Sequence, residues 1–288
     1  MDNLKQDIVN GAKQYADYIT QQIPQIGETG VINYYFSGSL AMLLLNSAKM
    51  VKPLTLNSNG EIVSSNFAYE ITDINRENFS KGIRTIGRDI DVMAVAKRPK
   101  GNFYELSKVV DNCNLATKLC PEWENGKGTF YYDFLNDDRD FDSYFAAELT
   151  LLDGSKFIIS DPLVLVSHKF GECINYKMVG QRVWGKGNMS PALGKKYSKG
   201  IVDFATMFNG LIEHYKDVNF AIFLKGLYDN CIETELAGAL FSSVSADYMN
   251  AFYNDVLDKI NPENKNLLND FIVSALNINK SLNKNSIK

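Results

Sequence analysis

The stretch Arg84-Thr85-Ile86-Gly87-Arg88-Asp89-Ile90-Asp91-Val92-Met93-Ala94-Val95 decides the reading of the chain. Its second half is β-branched and apolar, which predicts a strand over 89–95. Alternate residues of a strand share a face, so Asp89 and Asp91 stand on one side and Ile90 and Val92 on the other. Two carboxylates about 7 Å apart along a strand repel each other unless a positive group sits between them. Hard oxygen donors with no neighbouring His or Cys suit Mg²⁺ or Mn²⁺ better than zinc. The plainer alternative is a surface strand whose aspartates face water.

Upstream, Val31-Ile32-Asn33-Tyr34-Tyr35-Phe36 predicts another strand, followed by Ser37-Gly38-Ser39 and a helix over 40–51. At such a turn Gly38 lets the backbone approach a ligand. Ser39 would sit among free N–H groups at the positive end of a helix, a place that suits phosphate. Ser39 is equally suited to be a simple N-cap.

Further out, Ile8, Ala12, Tyr15, Ile19 and Ile23 recur at helical spacing, so 4–26 reads as an amphipathic helix. Strands are expected over 67–71, 129–135, 144–152 and 156–160, with Asp153-Gly154 as a hairpin turn. After Asp161-Pro162 the pattern turns helical, with helices expected over 163–177, 200–215, 220–230 and 246–259. The polar end, 277–288, is expected to fray. The fold class is therefore α+β: an α/β part over 1–160, in which 52–86 reads as a connection with one or two strands, then a helical part over 161–288.

Composition narrows the function classes. With 288 residues, 45% hydrophobic and 22% charged, the chain has an ordinary globular balance. Apolar runs such as 40–45 and 163–166 are far shorter than the ~20 residues needed to cross a bilayer. The start, Met1-Asp2-Asn3-Leu4-Lys5, lacks a basic-then-apolar leader, so the expected location is the cytoplasm, with no membrane partner. Four Cys (113, 120, 173, 231) without C-x₂₋₄-C spacing and two His (168, 214) argue against a disulfide framework and a zinc site. A Ser-His-Asp triad could use only those two histidines. The net charge of −4 is uneven: residues 168–200 carry seven basic side chains against Glu172. A basic stretch in an acidic chain suits a local anion site; its plainer reading is a solvated lysine-rich loop.

A strand, Gly-Ser, a helix and a later Asp-x-Asp strand resemble the polymerase-β-like nucleotidyltransferase superfamily. The distance from Gly38 to Asp89 exceeds the usual spacing there, which is why 52–86 is read as an insertion. Ile159-Ser160-Asp161-Pro162-Leu163-Val164-Leu165-Val166-Ser167-His168-Lys169-Phe170 and Lys199-Gly200-Ile201-Val202-Asp203-Phe204 look like the lysine and basic-x-x-x-Asp segments of AbiEii/AbiGii-type members. That group includes toxins of toxin–antitoxin and phage-defence systems. The resemblance spans about residues 31–210.

It implies a nucleotidyltransferase-like mixed sheet and a metal-dependent transfer of a nucleoside monophosphate from an NTP to an acceptor hydroxyl or RNA end. Gly38 and Ser39 would hold the triphosphate, Asp89 and Asp91 the metal, and Lys169 the phosphate oxygens. Asp203 would be the acid of the fourth motif. The third carboxylate would lie on a neighbouring strand, with Glu148 as first candidate and Asp133 as second. The apolar neighbours of Glu148 would make it costly unpaired, so a cationic or metal partner is expected. Arg84 and Arg88, two of six arginines, flank the aspartates and suit phosphate. Implied partners are an NTP, an acceptor such as tRNA, other RNA or a protein, and a cognate antitoxin. Trp184, flanked by Val183 and Gly185 in the basic stretch, is a candidate for base stacking.

Two other readings compete. Nucleotide-sugar glycosyltransferases also use Asp-x-Asp, but after an apolar strand; here the apolar run 92–95 follows it. The other is a nucleotidyltransferase-like scaffold serving as a catalytically silent binding module.

Overall fold

The computed structural model describes residues 31–36, 38, 41–42, 45, 48–52, 55–64, 68–71, 89–97, 127–135, 146–150, 154, 156–184, 190–230 and 235–285. Among them the chain is α+β and divides into two compact units. The first is built from the described residues of Met1–Thr55 and Ser64–Asp161. The second comprises those of Leu56–Val63 and Pro162–Lys288. The expected helix over 4–26 lies outside the described residues.

The first unit carries seven strands in one mixed sheet: β1 (Val31–Phe36), β2 (Ala48–Lys52), β5 (Ala68–Ile71), β6 (Asp89–Lys97), β7 (Lys127–Leu135), β8 (Ala146–Thr150) and β9 (Lys156–Ser160). Their order is β2-β5-β8-β9-β1-β6-β7. β1 pairs antiparallel with β6 and parallel with β9, while β6 pairs parallel with β7. The β8–β9 hairpin turns at Gly154, whose φ of +79° is a conformation glycine favours, as the Asp-Gly pair predicts. The helix expected over 40–51 is shorter than its periodicity suggests. Ala41, Met42 and Leu45 have helical backbone and are buried, but residues from Ala48 onward form β2. Ladder hydrogen bonds with β5 override helical spacing there.

Part of the 52–86 region belongs to the second unit. β3 (Thr55–Leu56) and β4 (Ile62–Ser64) form a small hairpin around Asn57-Ser58-Asn59-Gly60. The Asn57 Oδ1 accepts from the backbone N–H groups of Asn59 (2.9 Å) and Glu61 (3.1 Å), an Asx-type turn. The backbone N–H of Asn219 donates to the Gly60 carbonyl at 2.9 Å.

Six helices complete the second unit: α1 (Pro162–Trp184), α2 (Pro191–Leu211), α3 (Phe220–Asn230), α4 (Glu235–Phe241), α5 (Ser245–Leu257) and α6 (Lys265–Asn285). Their core is aromatic. Phe271 of α6 meets Phe170, Phe208 and Phe220 edge-on, at centroid distances of 5.5, 6.3 and 5.7 Å. Phe204 meets Phe252 edge-on at 4.9 Å. Edge-to-face pairs of this kind add about 0.5–1.5 kcal/mol each beyond the area they bury.

Three helical expectations need correction. α2 begins at Pro191, nine residues before the expected start, because Ser190 caps it: its Oγ accepts from the Leu193 N–H at 3.2 Å, with Pro191 at the first helical position. Most of the basic 168–200 stretch is therefore helix, not loop. The end expected to fray is helical to Asn285. There buried Asn279 donates to the carbonyls of Leu240 (2.8 Å) and Ser242 (2.9 Å), tying α6 to the end of α4. Among the described residues no helix is long and apolar enough to cross a membrane.

Candidate active site

In the first unit the chemistry-bearing positions meet at one end of the sheet. Phe36, the last residue of β1, is level with Val92 of β6 in an antiparallel register. The segment leaving β1 through Gly38 therefore departs beside the start of β6, where Asp89 and Asp91 share a face. Gly38 has φ +59°, the left-handed region that a glycine enters without strain. β9 runs parallel to β1 with Ile159 level with Phe36, so Ser160 and Asp161 end at the same side. Both are buried, at 1% and 2% exposure, and the Ser160 Oγ has no hydrogen-bond partner.

Sequence reasoning passed over Asp161 as a site residue. The available signal was its place: a carboxylate closing a strand and standing at the N-cap position directly ahead of Pro162. Ser39, Arg84 and Arg88 lie outside the described residues.

The two candidates for a third carboxylate stand elsewhere. Glu148 is on β8, which β9 and β1 separate from β6, a lateral distance of about 14 Å at the usual strand spacing. Its Oε1 pairs with the Lys156 Nζ at 2.7 Å, on a half-exposed face of the hairpin. The apolar neighbours that made it look enclosed, Ala147 and Leu149, are buried on the opposite face, as a two-residue period requires. Asp133 is on β7, next to β6, but level with Val95. That is four residues, about 13 Å, along from Asp91.

In the second unit α1 and α2 assemble a half-buried ionic cluster. Lys169 pairs with Glu172 one turn on, and the Tyr176 hydroxyl donates to the same carboxylate. Asp203 of α2, 6% exposed, also acts on the Lys169 charge. Burial disfavours the ammonium, but the two carboxylates outweigh it and raise the Lys169 pKa above its ordinary value.

Gly200 of α2 faces the same stretch of α1. A Cβ there would stand 2.5 Å from the Cys173 Sγ, so a glycine lets α2 pack closely against Cys173 of α1, while the 3.7 Å to the Lys169 Cδ would be ordinary contact. Lys169 and Asp203 were both expected in the site; Glu172, Tyr176 and Gly200 were not. Spacing on α1 could have flagged the first two, since i, i+3 and i, i+4 neighbours share a helix face. Cys173 is a free buried thiol, and burial raises its pKa and disfavours the thiolate.

The rest of the basic stretch is partly neutralised. Lys177 Nζ bonds Asp255 Oδ2 at 2.6 Å and lies 4.7 Å from the Tyr197 ring centroid. Lys196 lies 5.8 Å from the Tyr176 ring centroid, and Lys195 is exposed. Trp184 closes α1. The His168 Nε2 is buried with no hydrogen-bond partner, and His214 is exposed on the turn after α2. Among the described residues no three His, Cys, Asp or Glu side chains gather as a metal site. Comparison with protein-family models, curated proteins and solved structures finds no match to the chain.

Proposed function

We propose that the protein is a metal-dependent nucleotidyltransferase, moving a nucleoside monophosphate from an NTP to an acceptor and releasing pyrophosphate. The observation that carries this reading is the register of β1 on β6. Phe36 opposite Val92 brings the Gly38 turn beside the strand end bearing Asp89 and Asp91. A left-handed glycine next to two carboxylates on one strand face offers backbone N–H groups for phosphate and hard oxygens for a divalent cation. Asp89 and Asp91 fit Mg²⁺ or Mn²⁺, which when bound would neutralise phosphate charge. The turn at Gly38 would orient the triphosphate. Such a site works by position and electrostatics more than by covalent chemistry.

The proposed acceptor is an RNA end or a protein hydroxyl, and the proposed setting is a toxin-like or phage-defence enzyme with a cognate antitoxin. These finer points rest on the family resemblance alone. A second reading, a catalytically silent binding module, has one observation in its favour: Lys169 is already neutralised by Glu172 and Asp203.

The test is incubation with each of the four NTPs labelled at the α-phosphate, with Mg²⁺ or Mn²⁺ and total RNA or protein extract. The Asp89→Ala/Asp91→Ala variant runs in parallel. Label transferred by the parent and lost at least about a hundredfold in the variant is the expected result. Metal-dependent NTP binding without transfer would favour the binding module. Neither transfer nor metal-dependent binding would overturn both readings.

A further inference from the structure

The seven-stranded sheet of the first unit has an apolar face and a polar one, and the aspartate pair belongs to the polar one. Ala147, Ile159, Phe36, Val92 and Phe130 are level across β8, β9, β1, β6 and β7, and level residues share a face. Ala147 and Ile159 are buried at 1% and 0% exposure, which marks the core face. Positions an odd number of residues along a strand from this row stand on the opposite face. These include Asp89 and Asp91 of β6, Lys127 of β7, which is level with Asp89, and Ser160 of β9, which falls in the row of Asp91. The Glu148–Lys156 ion pair lies on this face too, further along the β8–β9 hairpin.

Lys127 and Ser160 give this face properties that two aspartates alone lack. Two carboxylates and one ammonium leave it net negative by itself, and net positive once a divalent cation sits on the carboxylates. It therefore attracts an anion only after the cation is bound. Ser160 is 1% exposed and its Oγ has no hydrogen-bond partner. Buried hydroxyls are normally hydrogen-bonded, so this one is matched to a partner from outside the chain. It lies two strand spacings, about 10 Å, from Asp91, too far to share a cation with it. A chain of linked phosphates chelated to that cation spans the gap, whereas a single phosphate or carboxylate does not.

We propose that this face binds a divalent cation and a polyphosphate together: Asp89 and Asp91 hold the cation, Lys127 offsets the charge of the anion, and the Ser160 hydroxyl donates to its far end. The cation site rests on the nucleotidyltransferase reading; Lys127, Ser160 and the order of binding, cation first, come from register and burial. All four residues belong to the first unit. The plainer role for Lys127 is a cross-strand partner of Asp89 and nothing more.

The experiment measures by calorimetry, on the full chain, the binding of Mn²⁺ alone and of inorganic tripolyphosphate with and without Mn²⁺. The parent is compared with Lys127→Met, Lys127→Arg, Ser160→Ala and Asp89→Ala/Asp91→Ala, and thermal unfolding of each is followed without ligand. The parent should bind tripolyphosphate only with Mn²⁺, and the double aspartate variant should bind neither. Lys127→Met and Ser160→Ala should bind Mn²⁺ at least as tightly as the parent, but tripolyphosphate with Mn²⁺ about tenfold more weakly, the worth of one hydrogen bond to a charged group. Lys127→Arg should keep parental affinity, and stands in for the lysine's role if Lys127→Met fails to fold. Ser160→Ala should unfold no earlier than the parent, because it removes a hydroxyl that bonds nothing in the chain. Tripolyphosphate binding without Mn²⁺ overturns the proposal. So does parental affinity in Lys127→Met or Ser160→Ala, or a loss of Mn²⁺ binding in either. Binding as expected with no transfer from any NTP would uphold the site and count against the enzymatic reading. Transfer that neither substitution slows would uphold the enzyme and overturn the site.

Discussion

At the scale of single residues, glycines reveal most where a side chain would be refused. Gly60 combines φ +74° with a site where a Cβ would lie 3.0 Å from the Asn219 nitrogen and the Asp217 carbonyl oxygen. Backbone atoms cannot give way as a flexible side chain can. Gly60→Ala is therefore expected to lower stability by about 1–3 kcal/mol, read as a fall in the urea midpoint at unchanged slope. An unchanged midpoint would mean that the hairpin contributes nothing to the second unit. Residues 52–86 were expected only as an insertion; Asn57 and Gly60 suit a tight turn locally, but its seat against Asn219, 159 residues away, is a tertiary contact. The same division holds at the ionic cluster. Lys169 and Asp203 stood out in sequence through a resemblance, whereas Gly200 matters only because another helix crosses it.

At the scale of elements, the strands and the 220–230 helix follow their local patterns closely, and the misses share a cause. β2 interrupts an apolar helical pattern because a partner strand supplies the ladder. α2 starts early because Ser190-Pro191 is a strong start signal that outweighs Gly194 and Gly200 inside the helix. α6 runs through a polar tail because one buried amide ties it down. Asn279→Ala would leave the carbonyls of Leu240 and Ser242 without that donor at the end of α4. A loss of about 1–3 kcal/mol is expected, with faster amide exchange in α4 and the last turns of α6. Exchange that stays slow there would show that Asn279 is dispensable.

At the scale of the whole molecule, three helices meet at Asp255 of α5, which accepts from Lys177 of α1 and, at 2.7 Å, from the Tyr197 hydroxyl of α2. Burial pushes its pKa up, but those two bonds outweigh burial and hold it below the usual carboxylate value. Burial and Asp255 together push the Tyr197 phenol up, so it stays a donor throughout the accessible range. A depressed folded-state pKa contributes stability that is complete above the unfolded value of about 3.9 and is lost as pH falls through the folded one. Asp255→Asn should therefore cost a little stability at neutral pH, under about 1 kcal/mol because the carboxylate is half exposed. The gap to the parent should close as pH drops below about 4. A gap independent of pH would place the effect in packing and not in charge. The sequence by itself determined the α+β class, the strand leading into Gly38 and the strand carrying the aspartate pair, and the change to helices after Asp161, because alternation, helical period and turn residues are local signals. Only the tertiary structure decided that β1 lies on β6 with the Gly38 turn beside Asp89 and Asp91, and that Glu148 is spent on Lys156 two strands away from β1. It likewise decided that Lys169 is shared between two carboxylates. Strand order, register and charge pairing are set by contacts between residues far apart in the chain, which no window of sequence contains.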